Sequence, residues 1–152
     1  MQSESARMST AAEARFRVPT AATSGRVVHV VALEPKMDAV VARLSSTAGA
    51  STRAFSSASV PTAGATDEHL DAITAADLVV MVAAEGGRAD AASAIGEACS
   101  RKRVMTTALV LHADRVDDAA LSKTLAQVRP WALMVVVTSD HAYLEDILGA
   151  FR

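Results

Sequence analysis

The sequence predicts an α/β fold: a three-layer, open, doubly wound parallel sheet of five strands, Rossmann-like or flavodoxin-like. From residue 26 onward, apolar runs rich in valine alternate with segments in which apolar residues recur at helical spacing. The strand runs are continuously apolar, as is typical of strands covered on both faces. Short strands on right-handed crossovers favour an open sheet over a barrel. The preferred strand order is 2-1-3-4-5, with 3-2-1-4-5 second.

The first part of the domain predicts two strands and a helix. Val27–Leu33 (VVHVVAL) is a continuous apolar run and predicts the first strand. Pro35 suits the first turn of the helix that follows and Gly49 ends it; its apolar face comprises Met37, Val40, Val41 and Leu44. Ser51–Phe55 predicts a weak second strand, and residues 56–66, rich in Ser, Thr, Pro and Gly, predict a loop.

The central part predicts a short helix, a strand and a longer helix. Thr66 or Asp67 is expected to cap the short helix, which carries Leu70 and Ile73 on one face. Leu78–Ala84 (LVVMVAA) predicts the third strand. After Gly86 and Gly87 a helix is expected from about residue 88 to residue 100, with basic residues 101–103 at its negative pole.

The last part predicts the remaining two strands and two helices. Thr106–His112 is expected to form the fourth strand, and Asp114 is expected to cap a helix that Pro130 stops. Leu133–Thr138 predicts the fifth strand, which would lie at an edge of the sheet. A final helix is predicted from an apolar stripe of Leu144, Ile147, Leu148 and Phe151.

Composition excludes several classes of protein. The chain has 152 residues, enough for one domain, and 51% of them are hydrophobic, which excludes disorder of the whole chain. A single cysteine, Cys99, excludes an internal disulfide framework and a zinc-finger ligand set. A net charge of −2 gives no general attraction to nucleic acid, and no apolar run is long enough to span a membrane. We therefore expect a cytoplasmic protein that binds neither nucleic acid nor a membrane.

The N-terminal segment differs from the rest of the chain. Residues 1–25 are mostly Ala, Ser, Thr and Arg without apolar periodicity, so we expect a flexible tail, followed by a single Rossmann-like domain over residues 26–152. The tail lacks the apolar stretch of a signal peptide, and its two glutamates count against a mitochondrial presequence. The alternative is that Phe16-Arg17-Val18-Pro19 is a docking peptide for a partner.

Polar side chains follow the predicted strands at one edge of the sheet, where ligands bind in such folds. A ligand-binding set is predicted there: Glu34, Glu85, Gly86, Gly87, Arg88, Asp114, Ser139 and His141. Two adjacent glycines let backbone N–H groups approach a ligand, and Arg88 suits a phosphate or carboxylate. His112 and Asp140 are the candidate catalytic groups. The acidic side chains are of the kind that Mg²⁺ prefers, but no metal site is assigned.

The alternative interpretation of these acids is structural. Asp114 and Asp140 stand where helix N-caps are required, and Glu34 precedes a first-turn proline. Neither GxGxxG nor GxxxxGK[ST] is present, so no standard phosphate-loop fingerprint supports a nucleotide. The sequence does not identify a cofactor. Aromatic residues that could stack on a nucleobase or flavin are almost absent from these loops, so any nucleotide would be held by backbone and aliphatic contacts. His29, between valines of the first strand, is expected to be a hydrogen-bonded core residue.

Two families share parts of this pattern. Residues 27–152 resemble a response-regulator receiver in element order, and SDHAYLEDILGAFR is similar to the end of that fold. The receiver's acidic pair would fall near Glu34-Pro35, its phospho-accepting aspartate near Val82 and its lysine near Ser139, so phosphorelay chemistry is not implied. AADLVVMVAAEGGRADAASAIGEA resembles the strand, glycine loop and helix of tubulin-like GTPases, without the glycine–threonine run that would imply GTP.

Two functions remain open from the sequence. The first is binding of a small ligand that carries a phosphate or carboxylate at the strand ends, with or without a reaction. The second is a non-catalytic protein-interaction module, either a degenerate receiver-like domain or a subunit of a larger assembly. A homo-oligomer or a protein partner would then be reached through the tail or the apolar fifth strand.

Overall fold

The sheet has five parallel strands in the order β2-β1-β3-β4-β5, which confirms the preferred prediction. The structure is a computed structural model and describes residues 26–49, 51–60, 67–113, 115 and 117–150. The predicted tail and the peptide at residues 16–19 lie outside these ranges. The strands are β1 (Val28–Ala32), β2 (Thr52–Phe55), β3 (Leu78–Ala84), β4 (Met105–Leu111) and β5 (Met134–Thr138).

Helices cover both faces of the sheet and complete the three layers. They are α1 (Asp38–Ala48), α2 (Asp67–Thr74), α3 (Ala91–Lys102), α4 (Asp118–Val128) and α5 (His141–Ala150). Two separate apolar clusters assign the faces: one includes side chains of α1 and α5, the other side chains of α2, α3 and α4. Single 3-10 turns lie at Pro35–Met37, Ser57–Ser59 and Arg129–Trp131. No helix of the described ranges is long and apolar enough to cross a membrane.

The central strands are apolar on both sides because both sides are covered. In β1, Val28 and Val30 pack in the cluster below α1 and α5, whereas Val31 packs in the cluster below α2, α3 and α4. All seven residues of β3 are buried as well. His29 is only 4% exposed, and its Nδ1 lies 2.8 Å from the carbonyl oxygen of Ile73, which confirms it as a hydrogen-bonded core residue.

The starts of α3 and α4 differ from the sequence-based prediction. Helix α3 begins at Ala91, three residues later than predicted, so its N-terminus is not at the glycine pair. Helix α4 is capped by Asp117, whose carboxylate accepts hydrogen bonds from the N–H groups of Ala119 and Ala120. The predicted cap, Asp114, lies outside the described residues. Asp117 adopts the extended backbone that a cap requires.

Apolar side chains are exposed at β5, the strand at one edge of the sheet. Met134 and Val137 of β5 are exposed by 42% and 38%, and Leu133, just before the strand, is exposed by 77%. β4 is the neighbour of β5 on one side, and no described strand pairs with its other side. The prediction that the fifth strand is an apolar edge is confirmed.

Cys99 is a buried thiol on α3, with no exposed area, in the cluster below α2, α3 and α4. Burial raises the pKa of the Cys99 thiol from 9.0 to about 11, and the positive charge of Lys102 offsets part of this rise. Because the thiolate is the reactive form, we expect the folded protein to react with a disulfide reagent at pH 8 at least about 100-fold more slowly than the unfolded chain. Absorbance of the released thiol measures both rates. A folded-state rate within tenfold of the unfolded rate would contradict this burial.

Candidate functional site

A cavity of about 560 Å³ opens at the carboxyl edge of the sheet, between the segments that follow β1, β2 and β3. The connection after β1 leads to α1 on one face, and the connection after β3 leads to α3 on the other. This divergence is the switch point where doubly wound sheets bind ligands. The described lining residues are Leu33, Glu34, Pro35, Asp38, Ser57, Ala58, Val60, Arg88, Asp90 and Ala91.

Glu34 connects two loops at the back of this cavity. Its side chain is buried, with 8% of the residue exposed. Oε1 accepts a hydrogen bond of 3.2 Å from the N–H of Ala84, and Oε2 accepts one of 2.8 Å from the N–H of Arg88. Glu34 also holds the N-cap position of the 3-10 turn, but its side chain makes no capping bond there. Its carboxylate therefore braces the end of β3 and the loop after it against β1.

The two glycines of that loop serve different needs. Gly86 has φ +71°, in the left-handed region that glycine adopts without strain. Gly87 has no such dihedral, but a Cβ at this position would overlap the carboxylate of Glu34. Gly87 is therefore required by the close approach of Glu34. The sequence indicated two glycines in a tight turn but not the side chain that approaches one of them.

The backbone N–H groups of this loop are engaged within the protein. Besides Arg88, the N–H of Glu85 donates to the carbonyl of Leu111, that of Gly86 to Thr124 Oγ1 and that of Ala89 to Gln127 Oε1, at 2.8, 2.9 and 3.2 Å. The N–H of Gly87 donates to the carbonyl of Ala84 at 3.0 Å. The sequence predicts that these amides face a ligand. In the structure, the Glu34 carboxylate, two side chains of α4 and two backbone carbonyl groups already accept their hydrogen bonds.

Charged and polar side chains surround the mouth of the cavity. The Arg88 side chain is 89% exposed, and its Nε lies 3.4 Å from Oδ2 of Asp90. Oδ1 of Asp90 accepts a hydrogen bond from Nε2 of Gln127. On the opposite side, Asp38 accepts bonds of 2.7 Å from the Ser57 N–H and 3.0 Å from its hydroxyl. Asp38, Ser57 and Asp90 were missed by sequence reasoning, since no motif marks them.

The predicted residues Glu85, His112, Ser139, Asp140 and His141 are not among the described lining residues of this cavity. Glu85 Oε1 accepts a long bond of 3.5 Å from the Asp117 N–H, and its buried Oε2 has no hydrogen-bond partner in the described structure. The His112 N–H donates to the Thr138 carbonyl, and its Nδ1 lies 2.7 Å from the carbonyl oxygen of Ala113. His112 and one carboxylate oxygen of Glu85 thus form hydrogen bonds to neighbouring segments of the chain.

The loop after β5 supports the structural interpretation of its acid. Oδ1 of Asp140 accepts a hydrogen bond of 2.9 Å from the N–H of Ala142, as an N-cap does at the start of α5. Ser139 and His141 are exposed beside it, and Asp114 lies outside the described residues. Within the described ranges, no three of His, Cys, Asp and Glu are grouped so as to hold a metal ion. The catalytic roles of His112 and Asp140 stay predictions.

Comparison with known proteins assigns no family to this chain. No protein-family model and no curated protein matches the chain. A candidate pilus assembly protein (CpaE) from Burkholderia thailandensis E264, known from its crystal structure, is similar at 20% identity and a TM-score of 0.44. The match covers 82% of this chain and 95% of that one. A likeness of this size carries no functional argument.

Proposed function

We propose that this domain binds a small molecule in the cavity at the switch point. The observation that supports it most is the cavity itself, since about 560 Å³ at the carboxyl ends of β1, β2 and β3 falls within the roughly 300–1,000 Å³ typical of ligand sites. Much of the lining is apolar: Leu33, Pro35, Ala58, Val60 and Ala91. We propose binding at this cavity and assign no reaction to it.

The phosphate or carboxylate that the sequence suggested has limited support at this site. Arg88 is the one cationic side chain among the described lining residues, and it already pairs with Asp90. The loop amides that would bind a phosphate have internal acceptors. An anionic ligand would therefore compete with Asp90 for one exposed guanidinium.

Filling the cavity is expected to weaken ligand binding. A library of small fragments should shift the backbone amide resonances of Ala58, Val60 and Ala91 in nitrogen–proton correlation spectra. Ala58→Leu adds a larger side chain to the lining and should weaken those fragments at least about tenfold, because it removes volume that the ligand occupies. Ala126→Leu, an exposed position on α4 away from the cavity, is the matched control. Fragments that bind elsewhere, or that bind Ala58→Leu unchanged, would count against this function.

The β5 edge supports a second candidate function, self-association. An unpaired edge strand with exposed apolar side chains is a template for pairing with another strand, and the same strand of a second copy is the occupant we propose. Pairing of two β5 strands would cover Leu133, Met134 and Val137 in both copies.

A lysine on the edge strand is expected to prevent that association. Val137→Lys places a charge on β5, where the valine is 38% exposed. The matched control is Val27→Lys, which changes a valine just before β1 that is 40% exposed. We expect light scattering with size-exclusion chromatography to find dimers at about 100 µM for the wild type and Val27→Lys, and monomers for Val137→Lys. A wild-type protein that stays monomeric at this concentration would rule the second function out.

A further inference from the structure

The lining of the cavity at the switch point carries an excess of negative charge. Three carboxylates, Glu34, Asp38 and Asp90, face one guanidinium, Arg88, which gives the described lining a formal charge of −2. A site of this charge favours a positive ligand over a phosphate or carboxylate.

The carboxylates differ in how far their charge is already compensated. Asp90 pairs with Arg88, and both side chains are largely exposed, so water screens this pair. Glu34 and Asp38 have no lysine, arginine or histidine within ion-pair distance among the described residues. Glu34 is buried and uses one lone pair of each oxygen for backbone N–H groups. Burial of a carboxylate without a counter-charge is costly, and a cation bound nearby would reduce that cost.

Asp38 is the carboxylate best placed to contact such a cation. It is half-buried at the mouth of the cavity, and Ser57 donates one hydrogen bond to each of its oxygens. A carboxylate has about four acceptor positions, so two remain after these bonds. The two bonds from Ser57 come from neutral donors, so they orient the carboxylate without supplying a counter-charge.

We propose that the ligand of this cavity carries an ammonium or guanidinium group on an apolar body, and that Asp38 receives the cationic group. The apolar body packs against Leu33, Val60 and Ala91. The inference rests on the proposed function, since it specifies the class of molecule that the same cavity binds.

Matched sets of probes with the same apolar body test the charge preference. Each set contains an amine, a carboxylate and an alcohol, for example 3-phenylpropylamine, 3-phenylpropionate and 3-phenylpropan-1-ol, with larger and smaller bodies in further sets. Titration followed by the amide resonances of Ala58, Val60 and Ala91 gives each Kd at this site. We expect the amine to bind on the order of tenfold more tightly than the alcohol, and the carboxylate to bind most weakly.

Asp38→Asn should remove the preference for the amine while leaving the affinity for the alcohol unchanged, because the amide keeps the shape but not the charge. Asp146→Asn, at an exposed position on α5 away from the cavity, is the matched control and should leave all three affinities unchanged. If Asp38→Asn does not fold, the salt dependence of binding to the wild-type protein provides the test. The Kd of the amine should rise between 20 and 300 mM NaCl, and the Kd of the alcohol should not.

The two proposals fail in different ways. If no probe of any set shifts the cavity resonances at millimolar concentration, the cavity does not bind small molecules and the proposed function is wrong. If the alcohols or carboxylates bind there as tightly as the amines, or if Asp38→Asn keeps the preference, the cavity binds ligands but the charge inference is overturned.

Discussion

Glu34→Ala is expected to lower the free energy of unfolding by about 3 kcal/mol. The carboxylate accepts hydrogen bonds from the N–H groups of Ala84 and Arg88, and both bonds are charge-assisted. Truncation leaves the Ala84 N–H without an acceptor in a buried position, which costs the desolvation of that group. The loss is therefore larger than removal of an exposed carboxylate would give.

Urea denaturation followed by circular dichroism measures this effect. Glu97→Ala, at an exposed position on α3, is the matched control and should change the stability by less than about 0.5 kcal/mol. Glu34→Gln should be intermediate, since its amide oxygen accepts one N–H while its NH₂ group faces the other donor. A loss below about 1 kcal/mol for Glu34→Ala would contradict the role of Glu34 as a brace.

Gly87→Ala is expected to cost about 2 kcal/mol, and most of this cost is expected to depend on Glu34. A Cβ at position 87 would overlap the Glu34 carboxylate, which must move and weaken its bonds to the two backbone N–H groups. The dihedral angles of Gly87 do not require glycine, so the cost is steric rather than conformational. In a Glu34→Ala background the overlap is gone, and Gly87→Ala should then cost less than about 1 kcal/mol.

A double-mutant cycle of the two substitutions measures this coupling. Gly86→Ala is the neighbouring control: its φ of +71° strains any residue with a Cβ, so its cost should persist in the Glu34→Ala background. If Gly87→Ala lowers the free energy of unfolding equally in both backgrounds, the Glu34 side chain is not the reason why position 87 requires glycine.

The strand order could be predicted because a strand that is buried on both faces has apolar residues at nearly every position. Val27–Leu33 and Leu78–Ala84 are nearly continuous apolar runs, as is typical of strands of a parallel sheet that are covered on both faces. Boundaries near polar loops were less predictable. Three aspartates lie near the start of α4, and which of them caps the helix depends on a backbone conformation that composition does not specify: Asp117 does, rather than the predicted Asp114.

The candidate site was predictable in its location but not in its chemistry. The sequence places Glu34 and Arg88 at the same edge of the sheet. It does not indicate that the Glu34 side chain bonds to a backbone N–H 54 positions away, or that Ser57 orients Asp38. These contacts depend on how the loops pack after the sheet has formed. The sequence predicts Glu34 as a cap or a ligand contact. In the structure its side chain makes no capping bond, and its carboxylate joins the loop after β3 to β1.

The internally bonded loop after β3 also affects the thermodynamics of binding. Because each N–H from Glu85 to Ala89 already has an acceptor, this wall of the cavity is ordered before any ligand arrives. A ligand then loses little affinity to the ordering of a loop, a cost that commonly reaches 0.5–1.5 kcal/mol for each immobilised side chain. The Glu34 carboxylate accepts hydrogen bonds that a bound anion would otherwise accept, and it thereby preorganises this wall of the cavity. Even a small ligand with few contacts is then expected to bind measurably.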